Sequence, residues 1–192
     1  MRISGGKARG IALAVPKGDK VRPATDGMRQ AVFSSLGSVV SGARFLDLFA
    51  GSGAYGLEAL SRGAVGGIFV EQNPKAVACV RQNIGSVCKS LGWGAAGAGE
   101  LLVVQADARN VPLGGSAEVP DLVFVDPPYD IIAEIAPALL ARLAVVLSPK
   151  PGAIVVFELP GELDLVADGW VMLKRLGKGA RQPTVAFFRH GP

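Results

Sequence analysis

A chain of 192 residues, 49% of them apolar and 19% charged, is long enough to bury a substantial core and too apolar to remain disordered. No apolar run approaches the ~20 residues that span a bilayer. The opening Met1-Arg2-Ile3-Ser4-Gly5-Gly6-Lys7 lacks the apolar stretch of a secretory signal, so the expected compartment is the cytoplasm. The net charge of +4 is unevenly spread: residues 1–30 carry +5, residues 174–192 carry +5, and the middle carries −6. Basic ends around an acidic centre read either as two arms that grip a phosphate backbone or as ordinary solvated charge. Cys79 and Cys88 have no histidine partners and read as free thiols, and no metal-ligand cluster is expected.

In chain order, Ile3 and then Ile11, Leu13 and Val15 flank the glycine-rich residues 5–10, which predicts a β-hairpin with a flexible basic loop. Thr25 or Asp26 caps a helix running to about Val40, with Met28, Val32, Phe33 and Leu36 on one face. Residues 44–49 form a first core strand. It turns through Gly51, Gly53 and Gly56, a G-x-G-x-x-G spacing, into a helix over 57–62. A second strand over 67–71 ends in Glu71, twenty residues after Gly51, where a carboxylate can take both hydroxyls of a ribose. Pro74 opens a helix to about Lys89 with Val77, Val80 and Ile84 inward, and a Gly/Ala-rich loop occupies 90–99. A third strand over 101–105 leads to Asp107, which either accepts from an adenine amino group or caps the short turn after it.

The fourth strand, Leu122-Val123-Phe124-Val125, runs into Asp126-Pro127-Pro128-Tyr129. The two prolines remove two backbone donors and push Asp126 out of the helical region, so the strand stops at a rigid corner. A helix over 131–146, apolar on nearly every face, implies burial against a sheet. A fifth strand over 153–157 and an antiparallel hairpin over 170–176 and 183–189 complete the pattern.

In an open α/β sheet the loops after strands one to four meet at one crevice. The glycine turn, Glu71 and Asp107 suit a nucleoside-containing cofactor. The Asp126 corner suits a planar amine placed against it. A nicotinamide dinucleotide leaves that corner unexplained, and S-adenosylmethionine accounts for it. An exocyclic amine is a poor nucleophile until acceptors such as the Asp126 carboxylate and the Pro127 carbonyl orient its lone pair, with Tyr129 stacking on the base.

Four segments carry a resemblance: residues 1–10, Arg22-Pro23-Ala24-Thr25-Asp26-Gly27-Met28-Arg29-Gln30, Phe45-Leu46-Asp47-Leu48-Phe49-Ala50-Gly51-Ser52-Gly53, and Asp126-Pro127-Pro128-Tyr129. Together they resemble the bacterial small-subunit rRNA guanine-N2 methyltransferase D family over essentially the whole chain. The resemblance implies a Rossmann-like class I methyltransferase fold, α/β, with a mostly parallel seven-stranded sheet, an antiparallel C-terminal hairpin and a small N-terminal β-hairpin. It implies one domain over 1–192, with the hairpin extension over 1–21 and the catalytic core over 22–192.

The implied activity is methyl transfer from S-adenosylmethionine to one guanine N2 of 16S rRNA, by a monomer acting on the small subunit or an assembly intermediate, without metal or membrane. The implied catalytic residues are Asp126, Pro127, Pro128 and Tyr129. The implied cofactor residues are Asp47, Phe49, Ala50, Gly51, Ser52, Gly53, Glu71, Gln72, Asn73, Asp107, Ala108 and Asp126. Arg2, Lys7, Arg9, Arg22, Arg29, Lys178 and Arg181 are the expected RNA contacts. Gln30 stands where the family usually has an acid, which leaves any ion pair made there open. The alternatives are an amino methyltransferase for DNA adenine or a protein glutamine, and a non-catalytic RNA-binding assembly factor on the same scaffold.

Overall fold

Strands β1 (Arg44–Leu48) and β4 (Leu122–Val125) are short, almost wholly apolar and buried on both faces. Such strands belong in the middle of a parallel sheet. The computed structural model, which describes residues 1–16, 26–94, 100–112, 118–177 and 182–191, puts them there. With β2 (Gly66–Glu71), β3 (Leu101–Gln105), β5 (Ile154–Pro160), β6 (Trp170–Leu176) and β7 (Pro183–His190), they form one seven-stranded sheet in the order β3-β2-β1-β4-β5-β7-β6. The first five strands are mutually parallel, and β7 runs antiparallel to both β5 and β6. Pairing with β7 carries β5 on through Glu158 to Pro160, three residues past the expected end at 157.

Alternation along the central strands divides the core in two. Phe45, Leu122 and Phe124 face one side, where they meet α1 (Asp26–Leu36), α2 (Ala54–Ser61) and α3 (Pro74–Leu91). Leu46, Leu48, Val123 and Val125 face the other, where α4 (Ile132–Leu147) lies. The expected all-round burial of α4 does not hold. Its inward stripe runs from Ile132 through Leu139, Leu140 and Leu143, while Val145 is 75% exposed, because one sheet face can cover only one side of a helix. The first helix is shorter than expected and continues as a 3-10 turn, Gly37–Val40. The second begins three residues early, at Ala54. Among the described residues no helix is long and apolar enough to cross a membrane. Thr25, Arg22, Lys178, Arg181 and most of the loop over 90–99 lie outside the described residues.

The N-terminal hairpin exists, but its loop is bound rather than free. One antiparallel bridge joins Arg2 and Ala12, with Ile3 N–H donating to Ile11 O at 2.9 Å. The turn between them is fastened to α2: Lys7 N–H donates to Ser61 O at 2.7 Å, Ala8 N–H to Ser61 Oγ at 2.9 Å, and Ser61 Oγ–H to Gly5 O at 2.6 Å. Ile3 and Ala8 are buried beneath it, and the Lys7 and Arg9 side chains remain exposed. Gly6 has φ +77°, and a Cβ there would lie 1.9 Å from Ser61 O.

This close approach separates two glycines of similar φ. Gly10 has φ +89° and nothing within 4 Å of an added Cβ. Gly10→Ala is expected to cost only the left-handed backbone penalty of about 1–2 kcal/mol. Gly6→Ala should cost at least about 2 kcal/mol more, because a backbone contact must open. Urea unfolding of the two variants side by side measures the difference.

Candidate active site

The site begins where β1 ends. Phe49 takes φ 59°, an uncommon conformation for a bulky residue, and Gly51 and Gly53 follow at φ 55° and 79°. These reversals bring the chain from strand to α2 within five residues. A Cβ at Gly51 would meet nothing within 4 Å, so the space beside it is open. At Gly56 a Cβ would lie 2.4 Å from the Phe69 ring, so this glycine lets α2 lie close on the sheet. Gly53 is the N-cap of α2 with no side chain to offer, and Asp47 supplies an acceptor from β1, taking Gly56 N–H at 2.9 Å.

A cavity of about 660 Å³ opens across the carboxyl ends of the parallel strands. The loop after β1 contributes Phe49, Ala50, Gly51, Ser52 and Tyr55, with Asp47 below them. From β2 come Glu71, Gln72 and Asn73, from the segment after β3 Ala106 and Ala108, and from β4 Asp126, Pro127, Pro128 and Tyr129. Sequence elements far apart in the chain therefore share one pocket, as the strand-end reading expects. Met1 and Arg29 also border it. Gly53 does not, because its role is to start α2.

Glu71 is held by backbone donors on both oxygens: Gly51 N–H to Oε2 at 2.8 Å and Asn73 N–H to Oε1 at 2.7 Å. Each carboxylate oxygen has a second acceptor position, so a diol in the cavity can still be bound by an already oriented group. The Asn73 side chain accepts from Lys75 N–H and caps α3. Phe49, Val70, Ala106 and Ala108 add apolar wall. These features fit a nucleoside.

Two expected site residues are corrected. Asp107 does not border the cavity. It accepts from Arg109 N–H at 2.9 Å and pairs with the Arg109 guanidinium at 2.7 Å, which holds its carboxyl below the usual range. The capping role wins because a matched partner lies two residues away. Arg29 cannot be a surface contact for RNA, because its side chain is 0% exposed. It lies between Asp26 at 2.8 Å and Glu58 at 3.4 Å. These are the ion pairs of this helix; Gln30 beside it is exposed. Arg175, part of the basic C-terminal cluster, is tied to Asp164 and to the carbonyls of Pro160, Gly161 and Leu163.

Under the Asp126 corner lies a carboxylate that the sequence reading passed over. Glu158, on β5, is buried and accepts from Tyr55 Oη at 3.1 Å and Tyr129 Oη at 3.3 Å. The Tyr55 ring stacks on Phe124 at 5.3 Å. Burial pushes the Asp126 carboxyl well above the usual carboxylate range, with repulsion from Glu158 and Asp47 adding to it. Burial also raises Glu158, against the two tyrosine hydrogen bonds. Like charges in a desolvated place favour one shared proton over two full charges. The signal was present: Glu158 ends an apolar strand, as Glu71 does. Among the described residues no group of three or more His, Cys, Asp or Glu is arranged to hold a metal.

The model of the family described as conserved hypothetical protein 95 matches residues 1–187. The chain is 38% identical over 129 residues to ribosomal RNA small subunit methyltransferase D of Escherichia coli K12, covering 67% of this chain and 60% of that protein. That match thus spans less than two thirds of the relative's length. Against the Haemophilus influenzae protein of the same name, identity is 30% over 188 residues, covering 93% and 89% of the two chains. A solved Escherichia coli chain described as a candidate methyltransferase superposes with a TM-score of 0.70 at 30% identity, covering 100% of this chain and 98% of that one. The architecture is accordingly the Rossmann-like fold of the methyltransferases.

Asp47 gives the site a pH signature. Burial pushes its carboxyl up to about 8, opposed by the Gly56 N–H bond and assisted by the charge on Glu71. An unfolded aspartate ionises near pH 4, so the favourable contribution of the protonated group is complete below about pH 4. It is lost as pH rises to about 8. Asp47→Asn, which keeps an acceptor for Gly56, is expected to melt several degrees above the unmodified protein at pH 9. The gap should close toward pH 4. Melting curves across this range, without added ligand, check it.

Proposed function

The chain belongs to the family described as conserved hypothetical protein 95, and on that premise we propose that it is an rRNA methyltransferase. Its reaction is transfer of the methyl group of S-adenosylmethionine to the exocyclic N2 amine of a guanine in 16S rRNA. The substrate is presented on the small ribosomal subunit or an assembly intermediate, in the cytoplasm. The observation that carries this reading is that Glu71 and the Asp126 corner open on one cavity, so a nucleoside site and an amine site lie side by side.

The chain's own groups divide the work. Glu71, anchored by Gly51 and Asn73, would hold the ribose hydroxyls, with Phe49 and Ala108 beside the base. When bound, S-adenosylmethionine supplies an electrophilic methyl on a sulfonium. Pro127 and Pro128 have no N–H to compete, so the carbonyl and carboxylate at the corner serve as acceptors for the target amine. Holding that amine with its lone pair aimed is the main contribution, since positioning alone can supply several kcal/mol of the barrier. Burial raises the proton affinity of Asp126, which suits it to take the proton the amine gives up. Tyr129 offers a face for the base, and Glu158 fixes its hydroxyl so the ring does not swing. A base taken from a stack must be flipped out, at a cost of a few kcal/mol. On the outer surface Arg2, Lys7 and Arg9 project from the bound N-terminal turn and offer contacts to phosphates.

Purified protein is expected to move labelled methyl from S-adenosylmethionine to unmodified small subunits. Asp126→Ala should lower that rate by about a thousandfold or more while the donor's Kd stays within an order of magnitude. Transfer to duplex DNA and not to rRNA would overturn the rRNA assignment.

Replacing Lys7 and Arg9 together by glutamine should weaken RNA binding and reduce the slope of log K against log salt by about one to two. A slope that does not change would remove these residues from the RNA surface.

A further inference from the structure

Arg29 is the largest of the fully buried side chains. A guanidinium has five N–H donors in a fixed plane, and in a buried place each needs an acceptor. Here Nε donates to Glu58 Oε2 at 3.4 Å, and Nη2 donates to Asp26 Oδ1 at 2.8 Å and to the Arg2 carbonyl at 2.5 Å. Nη1 is buried and has no hydrogen-bond partner among the described residues. It is the single buried side-chain polar atom among them in that condition. Since Arg29 also borders the cavity, a bound ligand can supply the acceptor that the chain does not.

The position of Arg29 along the cavity identifies that ligand group. Glu71 ends β2, on one side of the central β1. On the other side of β1 lies β4, and Phe33, one turn beyond Arg29 in α1, packs on Phe124 of β4 with ring centroids 5.6 Å apart. Arg29 thus serves the β4 end and Glu71 the β2 end, with the Gly51 turn between them. Two strand spacings, about 10 Å, separate β2 from β4. A nucleoside held by its ribose at Glu71 and carrying an amino-acid tail has its anionic end in reach of the other side.

We propose that Arg29 Nη1 binds the α-carboxylate of the methyl donor's amino-acid tail, and this rests on the methyl-donor reading above. Charge alone does not account for the recognition. Arg29 and Arg62 are balanced by Glu58 and Asp26, so the cluster is neutral, and the bond is directional. The cluster holds the guanidinium in place before the ligand arrives, which limits the entropy lost on binding. An arginine is needed because lysine keeps the positive charge but has no planar fork to serve Glu58, Asp26 and a third acid at once.

The test compares S-adenosylhomocysteine with its decarboxylated analogue, S-adenosyl-3-thiopropylamine, by titration calorimetry. The unmodified protein is expected to bind the analogue about 10- to 100-fold more weakly, the range of a charge-assisted hydrogen bond. In Arg29→Lys, S-adenosylhomocysteine should weaken by a similar factor while the analogue changes about threefold or less, so discrimination collapses. Arg62→Lys, altered on the same Glu58 but not bordering the cavity, should keep the full ratio. Equal binding of the two ligands by the unmodified protein overturns the inference alone, as does an unchanged ratio in Arg29→Lys. Failure to bind either ligand overturns the methyl-donor reading, and the inference with it. If Arg29→Lys does not fold, nitrogen-15 NMR of the unmodified protein decides. S-adenosylhomocysteine should shift the Arg29 guanidinium signals and the analogue should not; signals that neither ligand moves reject the assignment.

Discussion

Glu58 is the buried carboxylate on which the approach to the cavity depends. It sits in the middle of α2 with no exposed surface and accepts from four donors: Ser4 N–H, Ser4 Oγ–H, Arg29 Nε and Arg62 Nε. A lone carboxylate in that position would be too costly to bury. Two guanidiniums and a backbone N–H make it tolerable, and breaking such a cluster by removing one partner costs several kcal/mol. One of those partners is on α1, one on α2, and two come from the N-terminal turn. Three segments that share no strand are thereby fixed to one another. Met1 and Arg29 reach the cavity wall because Glu58 holds their backbones there.

A second carboxylate plays a comparable part at the chemical end. Glu158 is reached by Tyr55 from the β1 loop and Tyr129 from the β4 corner, so it links the nucleoside side of the cavity to the amine side. Phe124 and Phe33 support the Tyr55 ring from below. The rigidity expected of the two prolines is thus reinforced by a hydrogen bond that no local pattern predicts. The same carboxylate raises the proton affinity of Asp126, so geometry and acidity at the corner have a common source.

The elements most legible in the sequence were those set by local rules. Strands β3 and β4 fall where their apolar runs place them, and Gly51, Glu71 and the Asp126 corner share a pocket as strand-end residues of a parallel sheet should. Local rules also misled. A basic, glycine-rich turn reads as flexible, yet Gly5 and Gly6 are small because Arg62 and Ser61 press against them. Arg29 reads as one more cation in a basic segment, because composition does not tell which face of α1 it occupies. Asp107 had two readings of equal form, and a partner two residues away settled it. Glu158 was missed although it ends a strand like the other site acids, because β5 looked finished at Phe157 until β7 paired beyond it.

By itself the sequence determined the order of strands and helices, the glycine turn and the acids at the strand ends. These follow from periodicity, from φ requirements and from the donors that proline lacks, all of which act within a few residues. Only the tertiary structure decided which charges face water and which are spent inside. Ser4, Arg29, Glu58 and Arg62 meet across separations of up to 58 residues, as do Tyr55 and Glu158 across 103. A side chain's burial and its partners depend on what folds over it, and that information is distributed over the whole chain.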